Sequence, residues 1–122
     1  MAFASPAAFT FLSNREQAVS TLNHFRNIGL IRDRGYPPSI DEWLEGFNTV
    51  SPIRWIDKIS PRPLLLIHGD KDDVVPVTDV YQLYERAKQP KEMVVISGAG
   101  HRLRLVEEAV TAASNWLTEK SR

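Results

Sequence analysis

Apolar residues recur along this chain in two periods. Ala18, Val19, Leu22 and Phe25 stand at helical spacing, and the preceding Ser13-Asn14-Arg15-Glu16 has the form of a capping box, a hydroxyl for an orphan amide and a Glu reaching back. The spacing predicts a helix that runs to about Ile28 and stops at Gly29. A second box, Ser39-Ile40-Asp41-Glu42, follows Pro37-Pro38, and Ile40, Trp43, Leu44 and Phe47 make one apolar face of a short helix. Ser51-Pro52 predicts a further brief helical turn with proline at its first position.

The pattern then changes. Leu64-Leu65-Leu66-Ile67 is continuously apolar, too short for a stable helix and bounded by Pro63 and Gly69, as a strand covered on both faces would be. Val94-Val95-Ile96 repeats it, with Met93 ahead and Gly98 after. Between them, Val77, Val80, Tyr81, Tyr84 and Ala87 mark one face of a helix that begins after Pro76. Val106, Ala109, Val110, Ala113, Trp116 and Leu117 mark a last helix. Strand, helix, strand, helix from Leu64 onward describes a right-handed βαβα unit in a parallel sheet.

At 122 residues one domain is expected over 1–122. Within it, 1–12 reads as a strand stump, 13–60 as covering helices and 61–122 as the βαβα unit. The apolar start lacks the basic region of a secretory signal and is interrupted by Pro6, and it falls well below the roughly 20 residues that span a bilayer. Fifteen Lys and Arg balance fifteen Asp and Glu, which leaves no global field to gather nucleic acid or an anionic membrane. The chain has no cysteine, so disulfides and thiolate metal sites are excluded and a cytoplasmic setting is expected. His24, His68 and His101 form no zinc-like spacing, Asp70, Asp72 and Asp73 lack the rest of a calcium loop, and Gly98-Ala99-Gly100 stops short of a dinucleotide fingerprint. Neither metal nor cofactor is expected.

Chemistry concentrates in two loops, His68-Gly69-Asp70-Lys71-Asp72-Asp73-Val74-Val75-Pro76 and Gly98-Ala99-Gly100-His101, each after a predicted strand. Loops at the carboxyl ends of parallel strands share one edge of the sheet. Neighbouring strands lie about 4.8 Å apart, so Asp72 and His101 can meet as a carboxylate and imidazole pair. Such a pair fixes an imidazole tautomer and stabilises the imidazolium formed when Nε2 takes a proton. The competing reading makes Gly-Ala-Gly-His an ordinary strand-to-helix turn and His101 a surface or capping residue. Gly98 and Gly100 suit a sharp reversal that needs positive φ or close approach.

These two loops resemble the last third of an α/β-hydrolase of the dienelactone hydrolase and serine-peptidase-like esterase kind. In that family the acid stands three residues after the glycine closing the seventh strand, and the histidine follows a glycine after the eighth. The resemblance therefore implies Asp72 as acid and His101 as base. It covers about residues 50 to 120, and the helices of residues 13 to 48 match the cap inserted before the seventh strand. Residues 2 to 6 would end the sixth. The implied fold is α/β, a truncated α/β-hydrolase-like parallel sheet with cap-like helices at its N-terminal side. Asp70 and Asp73 read as solvated or capping carboxylates, and His68 as a structural histidine at a strand end.

No Gly-x-Ser-x-Gly elbow occurs, nor strands one to five or an oxyanion loop, so the pair has no attacking atom in this chain. The first expectation is a fragment that oligomerises, as a homodimer through its exposed sheet edge or swapped N-terminal helices, and hydrolyses nothing alone. A second is one part of a split esterase whose serine comes from a partner chain. A third is a module binding a small molecule or peptide, with Trp43, Trp55, Tyr81 and Tyr84 as lining, although those aromatics fit the core better. Arg102 and Arg104 would hold an anion at the last helix, or more ordinarily be solvated or pair with Glu107 or Glu108.

Overall fold

The computed structural model describes residues 1–9, 12 and 14–122, which form two compact units, one of Met1–Ala7 with Pro52–Arg122 and one of Ala8–Ser51. In the first unit the described residues build a parallel sheet of order β1-β2-β3, from Ala2–Phe3 (β1), Leu64–Gly69 (β2) and Lys91–Ile96 (β3). The N-terminal stretch thus contains a short strand, within the residues 2 to 6 that the resemblance implied. Its residues 10 and 11 lie outside the described residues.

The central strand explains the packing. All six residues of β2 are buried, and successive side chains point to opposite faces. Leu65 and Ile67 join Ile96, Ala99, Leu103, Ala109 and Ala113 on one side. Leu64 and Leu66 join Ala7, Ile56, Val80, Leu83 and Ala87 on the other. Each such leucine or isoleucine contributes on the order of 2 kcal/mol by leaving water. Helix α4 (Val77–Arg86) covers the second face and helix α5 (Glu107–Lys120) the first. The unbroken apolar run in the sequence reflects this two-sided cover. β3 lies at an edge, so its predicted burial is only partial.

Both helices turn their apolar stripes differently from the expected ones. In α4 the buried positions are Val80 and Leu83, followed by Ala87 at the C-cap, while Tyr81 is exposed. In α5, Ala109 and Ala113 meet the sheet with Ala112 and Trp116 beside them, and Val110 and Leu117 face outward. The large side chains of Leu65 and Ile67 fill the interlayer space, so the helix approaches with its small residues. At the far end of α5, the Trp116 indole N–H donates to Glu92 of β3 over 3.0 Å.

The second unit contains α1 (Arg15–Asn27) and α2 (Ile40–Val50). The expected cap at Ser13 falls outside the described residues. The observed N-cap is Asn14, whose side chain accepts from the Gln17 amide at 2.8 Å, one residue later than expected. Ser39 caps α2 as predicted by accepting from the Glu42 amide at 3.2 Å. Ala18 and Leu22 are buried on α1, but Val19 is exposed. Trp43 and Phe9 stack edge-on against Phe47 with ring centroids 4.9 and 5.4 Å away. The turn begun by Pro52 forms as a short helix, α3 (Pro52–Trp55), in the first unit.

Candidate functional site

Parallel register brings the two chemistry-bearing loops level. Gly69, the last residue of β2, pairs with Ile96, the last of β3. Asp72 follows three residues beyond the first and His101 five beyond the second. The loops are then laced together by backbone. The Asp70 amide donates to the Ile96 carbonyl at 3.2 Å and the Lys71 amide to the Ala99 carbonyl at 3.0 Å. The Asp70 carboxylate accepts from the Gly98 amide at 2.7 Å. Asp70 is exposed, in keeping with the solvated role expected for it, and its carboxylate also ties one loop to the other. Asp73 is exposed, in keeping with its expected role.

Two glycines permit the approach. Gly98 has φ +75°, a conformation that costs glycine no steric penalty. Gly69 faces the Ala99 carbonyl so closely that any Cβ would overlap it, and the Gly100 carbonyl oxygen would lie 2.8 Å from the same atom. Gly100 itself has no positive φ, so only Gly98 bears out that part of the loop expectation. Gly69 was legible as a strand end but not as a contact.

Asp72 is held at both oxygens. Its Oδ1 accepts from the amides of Val74 at 2.9 Å and Val75 at 2.8 Å, an Asx-type arrangement within its own turn. Its Oδ2 lies 2.9 Å from His101 Nδ1. A carboxylate only accepts, so Nδ1 carries the proton, and in the neutral ring Nε2 is the free lone pair. Asp72's side chain is fully buried and His101's is 39% exposed. Burial would raise the Asp72 pKa, but the Val75 amide, the His101 ring, the Val74 amide and the charge of the imidazolium together outweigh it. Its carboxyl is held below the usual aspartate value.

His68 sits beneath this pair, fully buried, with Nε2 2.8 Å from the Val75 carbonyl and 3.4 Å from Asp72 Oδ2. The carbonyl must accept, so Nε2 carries a proton, and in the neutral ring Nδ1 is bare. Nδ1 is buried without a hydrogen-bond partner. An orphaned acceptor of this kind costs about 1–3 kcal/mol.

His101 borders an open groove of about 640 Å³ whose other lining residues are Asp73, Val74, Gly100, Arg102 and Val106. Its Nε2 has no hydrogen-bond partner among the described residues. Arg102 and Arg104 are exposed and form no ion pair with Glu107 or Glu108 among the described residues. The aromatics do not gather here. Trp55 and Tyr81 are exposed, which corrects their assignment to the core, whereas Tyr84 packs half-buried against the cluster of Leu64, Leu66 and Leu83 and Trp43 stacks half-buried on Phe47. Among the described residues, no three His, Cys, Asp or Glu side chains are placed to hold a metal ion. No described helix is long and apolar enough to cross a membrane.

The sheet, its covering helices and the paired loops agree with a family model described as alpha/beta hydrolase fold, which matches residues 4–107. The chain belongs to the alpha/beta hydrolase family. Among its relatives is the uncharacterized protein YfhR of Escherichia coli K12, 35% identical over 88 residues that make up 70% of this chain and 29% of that protein. Human alpha/beta hydrolase domain-containing protein 17B is 44% identical over 48 residues, 38% of this chain and 17% of the relative. The solved structure of Est1E from Butyrivibrio proteoclasticus aligns at TM-score 0.50 and 27% identity, over 66% of this chain and 33% of that one. This hydrolase-family chain therefore spans less than a third of the length of the curated relatives it matches.

Proposed function

We propose that this chain carries the acid and the base of a serine-hydrolase relay, Asp72 and His101, of the ester-cleaving kind, and that it holds no nucleophile of its own. The 2.9 Å bond from His101 Nδ1 to a fully buried Asp72 carboxylate carries the reading, together with an unpartnered Nε2 beside the groove. With its tautomer fixed in this way, Nε2 takes the proton of an attacking hydroxyl as that oxygen bonds to the acyl carbon. It then passes the proton to the leaving oxygen, and Asp72 stabilises the intervening imidazolium. The sequence offers neither a Gly-x-Ser-x-Gly elbow nor a cysteine to be activated. Alone, the relay has nothing to deprotonate.

A second reading gains support from chain length. A chain covering 29% of a relative can act as one part of a site whose serine and oxyanion donors come from elsewhere. The outer side of β1 is one place for a partner, since no strand pairs with it there among the described residues and an unpaired edge recruits cover. A second copy there would make the homodimer expected from the sequence.

Purified chain and its His101→Ala variant are assayed with p-nitrophenyl acetate and labelled with a fluorophosphonate, with mass measured in solution. The expected result is no turnover above background, no label and a dimeric mass. Turnover that vanishes in the variant would overturn the missing nucleophile. Mixing with a family polypeptide that bears Gly-x-Ser-x-Gly tests the second reading: activity that appears on mixing and needs His101 and Asp72 supports it. Activity indifferent to both residues would sink the relay.

A further inference from the structure

We propose that His68 is a positioning residue that sets the orientation of the Asp72 carboxylate toward His101. The proposal deepens the relay reading above, since orienting Asp72 matters only if Asp72 and His101 act as acid and base.

Val75 is gripped at both its amide and its carbonyl. Its amide donates to Asp72 Oδ1 at 2.8 Å, and its carbonyl accepts from His68 Nε2 at 2.8 Å. The same Nε2 lies 3.4 Å from Asp72 Oδ2, the oxygen that meets His101. His68, Val75 and Asp72 therefore close a ring of contacts whose fixed point is the end of β2, a strand buried along its whole length. Rotation of the carboxylate about its Cβ–Cγ bond would break contacts on both oxygens at once. The loop alone, Asp70 to Pro76, has exposed residues at Asp70, Lys71, Asp73, Val74 and Pro76 and little packing of its own.

A space-filling role alone does not account for the ring. His68 lies on the same face of β2 as Leu64 and Leu66, which pack in an apolar cluster. A third aliphatic side chain there would bury no ring nitrogen but would strip the Val75 carbonyl of its donor, whereas the imidazole satisfies that carbonyl while burying Nδ1 with no partner. What the imidazole supplies and an aliphatic cannot is the Nε2–H held between Val75 and Asp72.

The test uses the 122-residue chain and needs no turnover. Glutamine places its amide nitrogen near the position of imidazole Nε2, and asparagine near that of Nδ1. His68→Gln, His68→Asn and His68→Leu are compared by amide exchange at Val74 and Val75 and by the ring ¹⁵N shifts of His101, which report the nitrogen that bears the proton. The expected result is wild-type behaviour in the Gln variant. The Asn and Leu variants are expected to exchange at Val75 at least tenfold faster and to lose the Nδ1–H preference at His101. If the Leu variant does not fold, the Gln and Asn pair decides. Equal behaviour of Gln and Asn, or unchanged His101 shifts in a folded Leu variant, would overturn the proposal. A relay that proves catalytically idle leaves these signals in place, so failure of the functional reading is distinguishable from failure of this one.

Discussion

Gly69 and Ala99 meet backbone to backbone, with no room for a Cβ between the end of β2 and the loop that carries His101. The contact is the hinge pin of the site, because the amides of Asp70 and Lys71 reach across it to Ile96 and Ala99. Gly69→Ala must displace main chain on one side, and overpacking of this sort costs about 1–3 kcal/mol or more. Urea denaturation should show that loss. The His101 ring ¹⁵N shifts should show the Asp72 contact weakened even in the folded fraction.

Asp72→Asn separates charge from shape. The amide oxygen can still accept from Val74 and Val75, which turns the amide nitrogen toward the protons of His101 Nδ1 and His68 Nε2. Donor then faces donor, and His101 is expected to move its proton to Nε2. Ring ¹⁵N shifts read the change directly. In an assembled site the wrong tautomer should lower kcat by about 10⁴-fold, the size seen when a relay carboxylate is neutralised elsewhere.

Acid should destabilise the fold through the same group. Asp72 has a folded-state pKa below the ordinary aspartate value of 3.8, so between the two values the unfolded chain binds more protons and stability rises with pH. The contribution is complete above the unfolded value and is lost as pH falls through the lower folded one. Thermal melts from pH 6 down to pH 2 should steepen below about 4, and Asp72→Asn should remove that part of the slope.

The turned face of α5 predicts unequal effects at neighbouring apolar positions. Ala109→Leu should cost about 1–3 kcal/mol, since Ala109 is packed directly on the sheet. Leu117→Gln should change stability by no more than about 0.5 kcal/mol, because Leu117 is half exposed. Paired denaturation curves check both. A large loss at Leu117 would restore the stripe expected from periodicity.

Much of this molecule could be read from residue order. An unbroken Leu64-Leu65-Leu66-Ile67 run between Pro63 and Gly69 specifies a strand covered on two sides, because burial on both faces favours an apolar side chain at successive positions. Ser39 announces a helix start through a bond to a residue three positions away. The candidate pair was also legible, since parallel strands align their carboxyl ends whatever surrounds them. Tertiary structure alone decided the rest. Periodicity defines a stripe on a helix but not the angle at which the sheet meets it, so Val110, Leu117 and Tyr81 turned outward. The Gly69 contact with Ala99, the Asp70 bond to Gly98 and the His68 grip on Val75 depend on distances between loops or across a turn, which packing sets and spacing along the chain does not encode.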